Sequence, residues 1–127
     1  MLLLWTHRQS ALHYQVDLDN PANAEFIKGY RAMFGADAVP SYRVVQGYDA
    51  MALVYKAAEK TGGNLDGAAL VEAMKGIELD SPRGPLLIDP ATRDVVQNIY
   101  IRRGGQKDGA WRNIAFDTIP EVKDPAK

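Results

Sequence analysis

Val44-Val45-Gln46-Gly47-Tyr48-Asp49-Ala50-Met51-Ala52-Leu53-Val54-Tyr55-Lys56-Ala57-Ala58-Glu59-Lys60-Thr61-Gly62-Gly63 is the stretch around which the rest of this sequence is arranged. At about 100° per residue, Asp49, Lys56 and Lys60 fall on one narrow stripe, with Glu59 near it. Everything else in residues 48–58 is apolar, which predicts a helix buried on several sides. Gly62-Gly63 ends it by supplying the left-handed backbone that helix ends favour. Just upstream, Tyr42-Arg43-Val44-Val45 reads as a short β-branched strand or extended link. Such a link running into a helix predicts free N–H groups and partial positive charge near residues 46–49, a place to hold a carboxylate or another polar group.

A chain of 127 residues is one domain's worth, long enough to bury a core. Its net charge of −1 is spread over interspersed acids and bases, which leaves no basic footprint for nucleic acid and no polybasic membrane patch. The absence of cysteine excludes disulfides, thiol nucleophiles and thiolate metal sites. Met1-Leu2-Leu3-Leu4-Trp5 is too short an apolar run for a signal peptide, so no export signal is expected. Nothing approaches a membrane-spanning length.

Taken in order, residues 2–5 suit a short strand, and residues 11–18 alternate imperfectly, as a half-buried extended segment does. Asn20-Pro21 starts a helix, with Asn20 as N-cap and Pro21 at the first helical position. That helix is predicted to reach Phe34, with Phe26, Ile27, Tyr30 and Phe34 on one face and Gly35 at its end. A third helix, capped by Asn64 or Asp66, carries Leu70, Ala73, Met74 and Ile77 at helical spacing and closes at Gly76. Ser81-Pro82-Arg83-Gly84-Pro85 rules out helix. Residues 86–88 form a short strand, and residues 95–102 (Val-Val-Gln-Asn-Ile-Tyr-Ile-Arg) the best strand in the chain. Residues 104–109 read as a glycine-rich turn, after which residues 111–116 pair back as a hairpin. The tail from Pro120 is expected to be loosely ordered.

The chemistry-bearing motifs are few. His7 and His13, the only histidines, suit neither a zinc helix nor a catalytic triad and read as surface or cleft-edge side chains. In an extended segment His13 and Tyr14 point to opposite sides, so one of them is placed to face a ligand. Asp17-Leu18-Asp19-Asn20-Pro21-Ala22-Asn23 begins like a calcium loop, but Ala22 replaces the turn glycine and Lys28 the bidentate acid, so helix capping explains it better. Gly62-Gly63 and Gly104-Gly105 lack the Lys-Ser/Thr of a phosphate loop, and no nucleophile elbow is present. No metal and no cofactor is expected, and no base–nucleophile pair points to an enzyme. Gln46 and Tyr48 are the polar groups at the inferred helix entrance; the plain alternative makes Tyr48 a core aromatic.

Three stretches in order carry a resemblance. They are Asp17-Leu-Asp-Asn-Pro-Ala-Asn-Ala-Glu-Phe-Ile-Lys-Gly-Tyr-Arg-Ala-Met-Phe-Gly35, then Gly47-Tyr-Asp-Ala-Met-Ala-Leu-Val-Tyr-Lys-Ala-Ala-Glu-Lys-Thr-Gly62, then Ser81-Pro-Arg-Gly-Pro-Leu-Leu-Ile-Asp89. Together they resemble the C-terminal part of the type I periplasmic binding proteins of ABC importers, the branched-chain amino acid (leucine/isoleucine/valine) family, over roughly residues 11–125. The resemblance implies an α/β fold, helices followed by a β-hairpin, from a protein whose two lobes close on a ligand. It implies residues 1–19 as an extended inter-lobe link, 20–79 as helices of the N-terminal-type lobe, and 80–127 as a crossover and hairpin of the second lobe. It also implies a binding protein and not an enzyme, a branched-chain amino acid or similar small carboxylate as ligand, a transporter permease as partner, and a periplasmic location. Gln46 and Tyr48 are implied ligand contacts, with His13 and Tyr14 as weaker ones. Full members are far longer, so the helices are expected to expose the Phe26/Tyr30 and Met51/Tyr55 faces and the chain to self-associate. The alternative is a remnant of the same fold that binds no solute alone.

Overall fold

A computed structural model of the chain describes residues 8–125. The strand expected at residues 2–5, and His7, lie outside them.

Among the described residues the first element is β1 (Gln9–Leu12), followed by bends and turns through the rest of the segment expected to be extended. Helix α1 (Pro21–Phe34) starts and stops where its sequence signals stand: Asn20 Oδ1 accepts from the Asn23 backbone N–H at 2.8 Å, and the Gly35 N–H closes on the Arg31 carbonyl at 2.9 Å. Helix α3 (Gly67–Met74) is capped by Asp66, whose carboxylate accepts from the Ala69 N–H at 3.0 Å.

Helix α2 spans Tyr42–Lys60, so Tyr42-Arg43-Val44-Val45 is its first turn and not a strand. Burial overrides β-propensity here: Val45 is fully enclosed with Tyr14 and Phe26, and Tyr42 and Val44 pack on the same cluster. The helix entrance therefore lies at Ser41, and Gln46 to Asp49 are already inside the helix. Nor is α2 buried on several sides. Only Val45, Asp49 and Ala57 are buried, whereas Tyr48, Met51 and Tyr55 are 50%, 48% and 63% exposed. Of the polar stripe only Asp49 is buried, whereas Lys56 and Lys60 stay exposed and reach across to neighbouring carbonyls. Asp49 faces Ser81 and Arg83, Lys56 Nζ donates to the Glu78 carbonyl at 2.9 Å, and Lys60 Nζ donates to the Ala73 carbonyl at 3.0 Å. Phe26, expected on an open face, is buried, while Phe34 is exposed.

The strands β2 (Glu78–Ser81), β3 (Gly84–Ile88), β4 (Val95–Lys107) and β5 (Ala110–Val122) join β1 in one five-stranded sheet. Its order is β1-β4-β3-β2, with β5 along the other edge of β4, and every pairing is antiparallel. The two-residue link Pro82-Arg83 makes the β2–β3 hairpin, and Gly84 takes a φ of 98° where a Cβ would lie 2.8 Å from the Tyr100 hydroxyl. Two expectations fail on the long hairpin. Gly104-Gly105 continue β4, and the turn falls at Asp108-Gly109. A Cβ at Gly105 would meet Ile114 Cδ1 at 2.8 Å, so that side chain's tip would have to shift. The tail is also more ordered than proline suggests: Pro120-Glu121-Val122 belong to β5, with the Glu121 N–H on Asn98 Oδ1 at 3.3 Å.

Two apolar clusters hold these layers together. Ala57, Ile77, Leu79 and Leu86 join α2 and α3 to the β2–β3 hairpin, and Tyr14, Phe26 and Val45 join α1 and α2 to the segment after β1.

Candidate functional site

Where β1, the amino end of α2 and the β4–β5 ribbon meet, they leave a cleft of about 380 Å³. Leu12, Tyr14 and Val16 form one wall, the Val39–Pro40–Ser41–Tyr42 approach to α2 a second, and Arg102, Arg112 and Asn113 a third. Among the described helices α2 alone has no side-chain cap, since Ser41 makes no capping bond; like α1 and α3 it also has no acid in its first turn. The first N–H groups of a helix have no partner within it and carry partial positive charge. Two guanidinium groups add to that field, and no Asp or Glu lines the cleft.

Arg102 is the better placed of the two. Its Nη2 donates to Ser10 Oγ at 3.0 Å and its Nη1 to Gln15 Oε1 at 3.3 Å, while Nε is buried without a partner. Both acceptors are neutral, so they hold the guanidinium in place without cancelling its charge. Burial lowers its pKa from the usual value, yet an arginine stays charged throughout the physiological range. Gln15 is itself fixed, since its Nε2 donates to the Asn113 carbonyl.

The residues singled out from sequence are not brought together. Tyr14 lines the cleft with its ring, but its hydroxyl is spent on Asn23 Oδ1 at 3.0 Å, and burial raises its pKa well above the usual value. His13 points to the other side of its segment, edge-on to the Tyr42 ring at 5.8 Å between centroids, with Nε2 buried and unpartnered. It is thus half-buried and not a surface side chain. Gln46 is exposed on α2, and Tyr48 lies in a separate apolar groove between α1 and α2, its ring 4.9 Å from that of Phe26. The residues missed were Ser41, Tyr42 and Arg102. Pro40-Ser41 was the available signal, a serine N-cap directly before the helical run.

His13 gives the region a pH response. Its pKa is lowered from 6.5, first by burial and then by the Arg83 charge. The unfolded chain therefore binds the proton more readily, so the stability from neutral His13 is present above about pH 6.5 and is lost as the pH falls through the lowered folded value. The urea midpoint is expected to drop between pH 7 and pH 5, and His13→Gln to remove part of that drop. An unchanged pH profile in the variant would count against the buried neutral imidazole.

The sequence matches the periplasmic binding protein family over residues 9–110. The chain belongs to that family. It is similar to Leu/Ile/Val-binding protein homolog 6 of Brucella abortus (strain 2308), with 42% identity over 117 residues, which are 91% of this chain and 30% of that protein. A solute binding protein of an ABC transporter from Rhodopseudomonas palustris BisB5, solved in complex with 3,4-dihydroxybenzoic acid, shares 46% identity at a TM-score of 0.87, over 93% of this chain and 32% of its own. An R. palustris ABC transporter solute binding protein in complex with 4-hydroxybenzoate shares 32% identity at a TM-score of 0.85, over 97% of this chain and 33% of its own.

The chain thus spans about a third of the length of these relatives. What it shares with them is a part of the type I periplasmic binding protein fold, an α/β arrangement of helices packed on an open sheet. Periplasmic binding proteins carry solutes and are not enzymes.

Proposed function

We propose that this periplasmic binding protein segment supplies one wall of a solute cleft for a small carboxylate delivered to an ABC importer in the periplasm. An aromatic acid of the hydroxybenzoate type is the ligand the wall favours. The carrying observation is the cleft lining, two guanidinium groups and an uncapped helix terminus with no acid among them. That set attracts a carboxylate and offers no counter-charge to an α-ammonium group. The apolar Leu12, Tyr14, Val16 and Val39 suit a ring, and the benzoate-type ligands of the two R. palustris proteins support the same choice. Of the residues singled out from sequence, Tyr14 is retained as cleft wall and His13 as its neighbour. Gln46 would meet a ligand only on the exposed side of α2, and Tyr48 only in the α1–α2 groove.

A branched-chain amino acid is the second reading, favoured by the Brucella relative. It requires the acid that holds the ammonium group to come from outside this wall. Thermal unfolding of the chain with 3,4-dihydroxybenzoate, 4-hydroxybenzoate, benzoate, leucine and valine at about 10 mM separates the readings. A single wall is expected to bind at a Kd of about 1 mM, so the aromatic acids raise Tm by a few degrees and the amino acids leave it unchanged. A rise with leucine and valine alone would favour the second reading; no rise with any would favour a segment that binds no solute by itself.

We also infer that the α2 face bearing Tyr48, Met51 and Tyr55, with Met33 and Phe34 of α1, drives self-association of the isolated chain, because it leaves a contiguous apolar surface open. Sedimentation is expected to show dimers or larger species at about 100 μM, and Met51→Lys with Tyr55→Glu to restore monomers. A compact monomer in the unmodified chain would refute this. The proposed division between a helical lobe segment, residues 20–79, and a second-lobe segment, residues 80–127, falls inside the β2–β3 hairpin.

A further inference from the structure

A buried polar knot sits at the tip of the β2–β3 hairpin, away from the cleft. Arg83 Nε donates to Asp49 Oδ2 at 2.7 Å, and Ser81 Oγ donates to the same oxygen at 2.9 Å. The Arg83 Nη1 donates to Gln97 Oε1, its N–H to Ser81 Oγ at 3.1 Å, and its carbonyl accepts from the Tyr100 hydroxyl at 2.7 Å. The Pro82 carbonyl accepts from Asn20 Nδ2 at 3.1 Å, which ties the tip to the start of α1 as well. Asp49 stands about two turns in from Tyr42, on the side of α2 that His13 also faces.

The geometry points to Asp49 and Arg83 as positioning residues that hold the amino end of α2, and with it the Ser41–Tyr42 wall, against the sheet. The first turn needs an outside hold. It lacks a cap, it lacks an acid, and Arg43 places a cation where the helix already carries positive charge. The carboxyl half of the same helix is secured separately, by Ala57 in the apolar cluster and by Lys56 and Lys60 on backbone carbonyls. The carboxyl half is therefore anchored without the knot, and the knot acts with Val45, enclosed by Tyr14 and Phe26, on the half that lines the cleft. This deepens the solute-cleft reading and rests on it for its consequence in binding.

Amide hydrogen exchange on the full chain tests it through three variants. Asp49→Asn keeps the shape and removes the charge, Arg83→Lys keeps the charge and removes the planar fork, and Ser81→Ala removes one bond and leaves the pair. In Asp49→Asn, protection of the amides of residues 44–47 is expected to fall about tenfold relative to those of residues 57–60. Arg83→Lys and Ser81→Ala are expected to show smaller losses at the same residues. A loss spread evenly along α2 would make the knot general glue, and unchanged protection would make it irrelevant; either overturns the proposal. Titration with 3,4-dihydroxybenzoate runs alongside, where Asp49→Asn is expected to weaken binding about fivefold or more. A parent chain that binds no carboxylate defeats the cleft reading and leaves the exchange result to judge the knot alone.

Discussion

Asp49→Ala is expected to lower folding stability by roughly 3–5 kcal/mol, the usual cost of removing one partner of a buried ion pair. Asp49 is 5% exposed and Arg83 6% exposed, so the guanidinium left behind has little access to water. The loss also strands Ser81 Oγ, which donates to the same carboxylate. The pair itself is not expected to add much net stability, because both charges give up hydration to form it. Replacing both partners, as Asp49→Leu with Arg83→Met, should therefore recover most of the loss. Urea unfolding of the two single variants and the double variant checks this. A loss below about 1 kcal/mol in Asp49→Ala would mean that water reaches the guanidinium.

Asn23→Ala is the second large effect, expected at about 2–4 kcal/mol. Asn23 is 1% exposed and satisfies three groups at once. Its Oδ1 accepts from the Tyr14 hydroxyl at 3.0 Å, and its Nδ2 donates to the Val16 carbonyl at 3.0 Å and the Leu18 carbonyl at 2.9 Å. Without the amide, a phenol and two carbonyls lose these partners in the tightest part of the chain. The segment that carries His13, Tyr14 and Gln15 keeps its apolar contact with Phe26 but loses its hydrogen-bonded attachment to α1. Asn23→Asp keeps one acceptor for Tyr14 and turns both carbonyl contacts repulsive, so it should be at least as damaging. The urea midpoints decide; a neutral Asn23→Ala would contradict the inferred attachment.

Much of the helical half was legible because its signals are local. Asn20-Pro21 and Gly35 bound α1, and Asp66 caps α3, by chemistry complete within a few residues. The amino end of α2 was misread because Val44 and Val45 prefer strands in isolation, and only the enclosure of Val45 by Tyr14 and Phe26 decides otherwise. The Asp49 stripe was seen, but its direction was not, since periodicity finds a face without saying what it meets. Arg83, far along the chain, draws Asp49 inward, while Lys56 and Lys60 of the same stripe stay exposed. The cleft was the least legible part. Arg102, Ser41 and Tyr14 come from three segments brought together by the β1–β4 pairing, the Gln15 hydrogen bonds and the packing of α2, and no spacing in the sequence records that.

The cationic amino end of α2 as a carboxylate-binding wall is tested most directly by mapping amide and arginine side-chain NMR shifts during titration with 3,4-dihydroxybenzoate. The expected shifts fall on residues 41–43, Gln15 and the Arg102 guanidinium, with Arg102→Gln abolishing them. Shifts confined to Gln46, Tyr48 and the α1–α2 groove, or none at millimolar ligand, would contradict it.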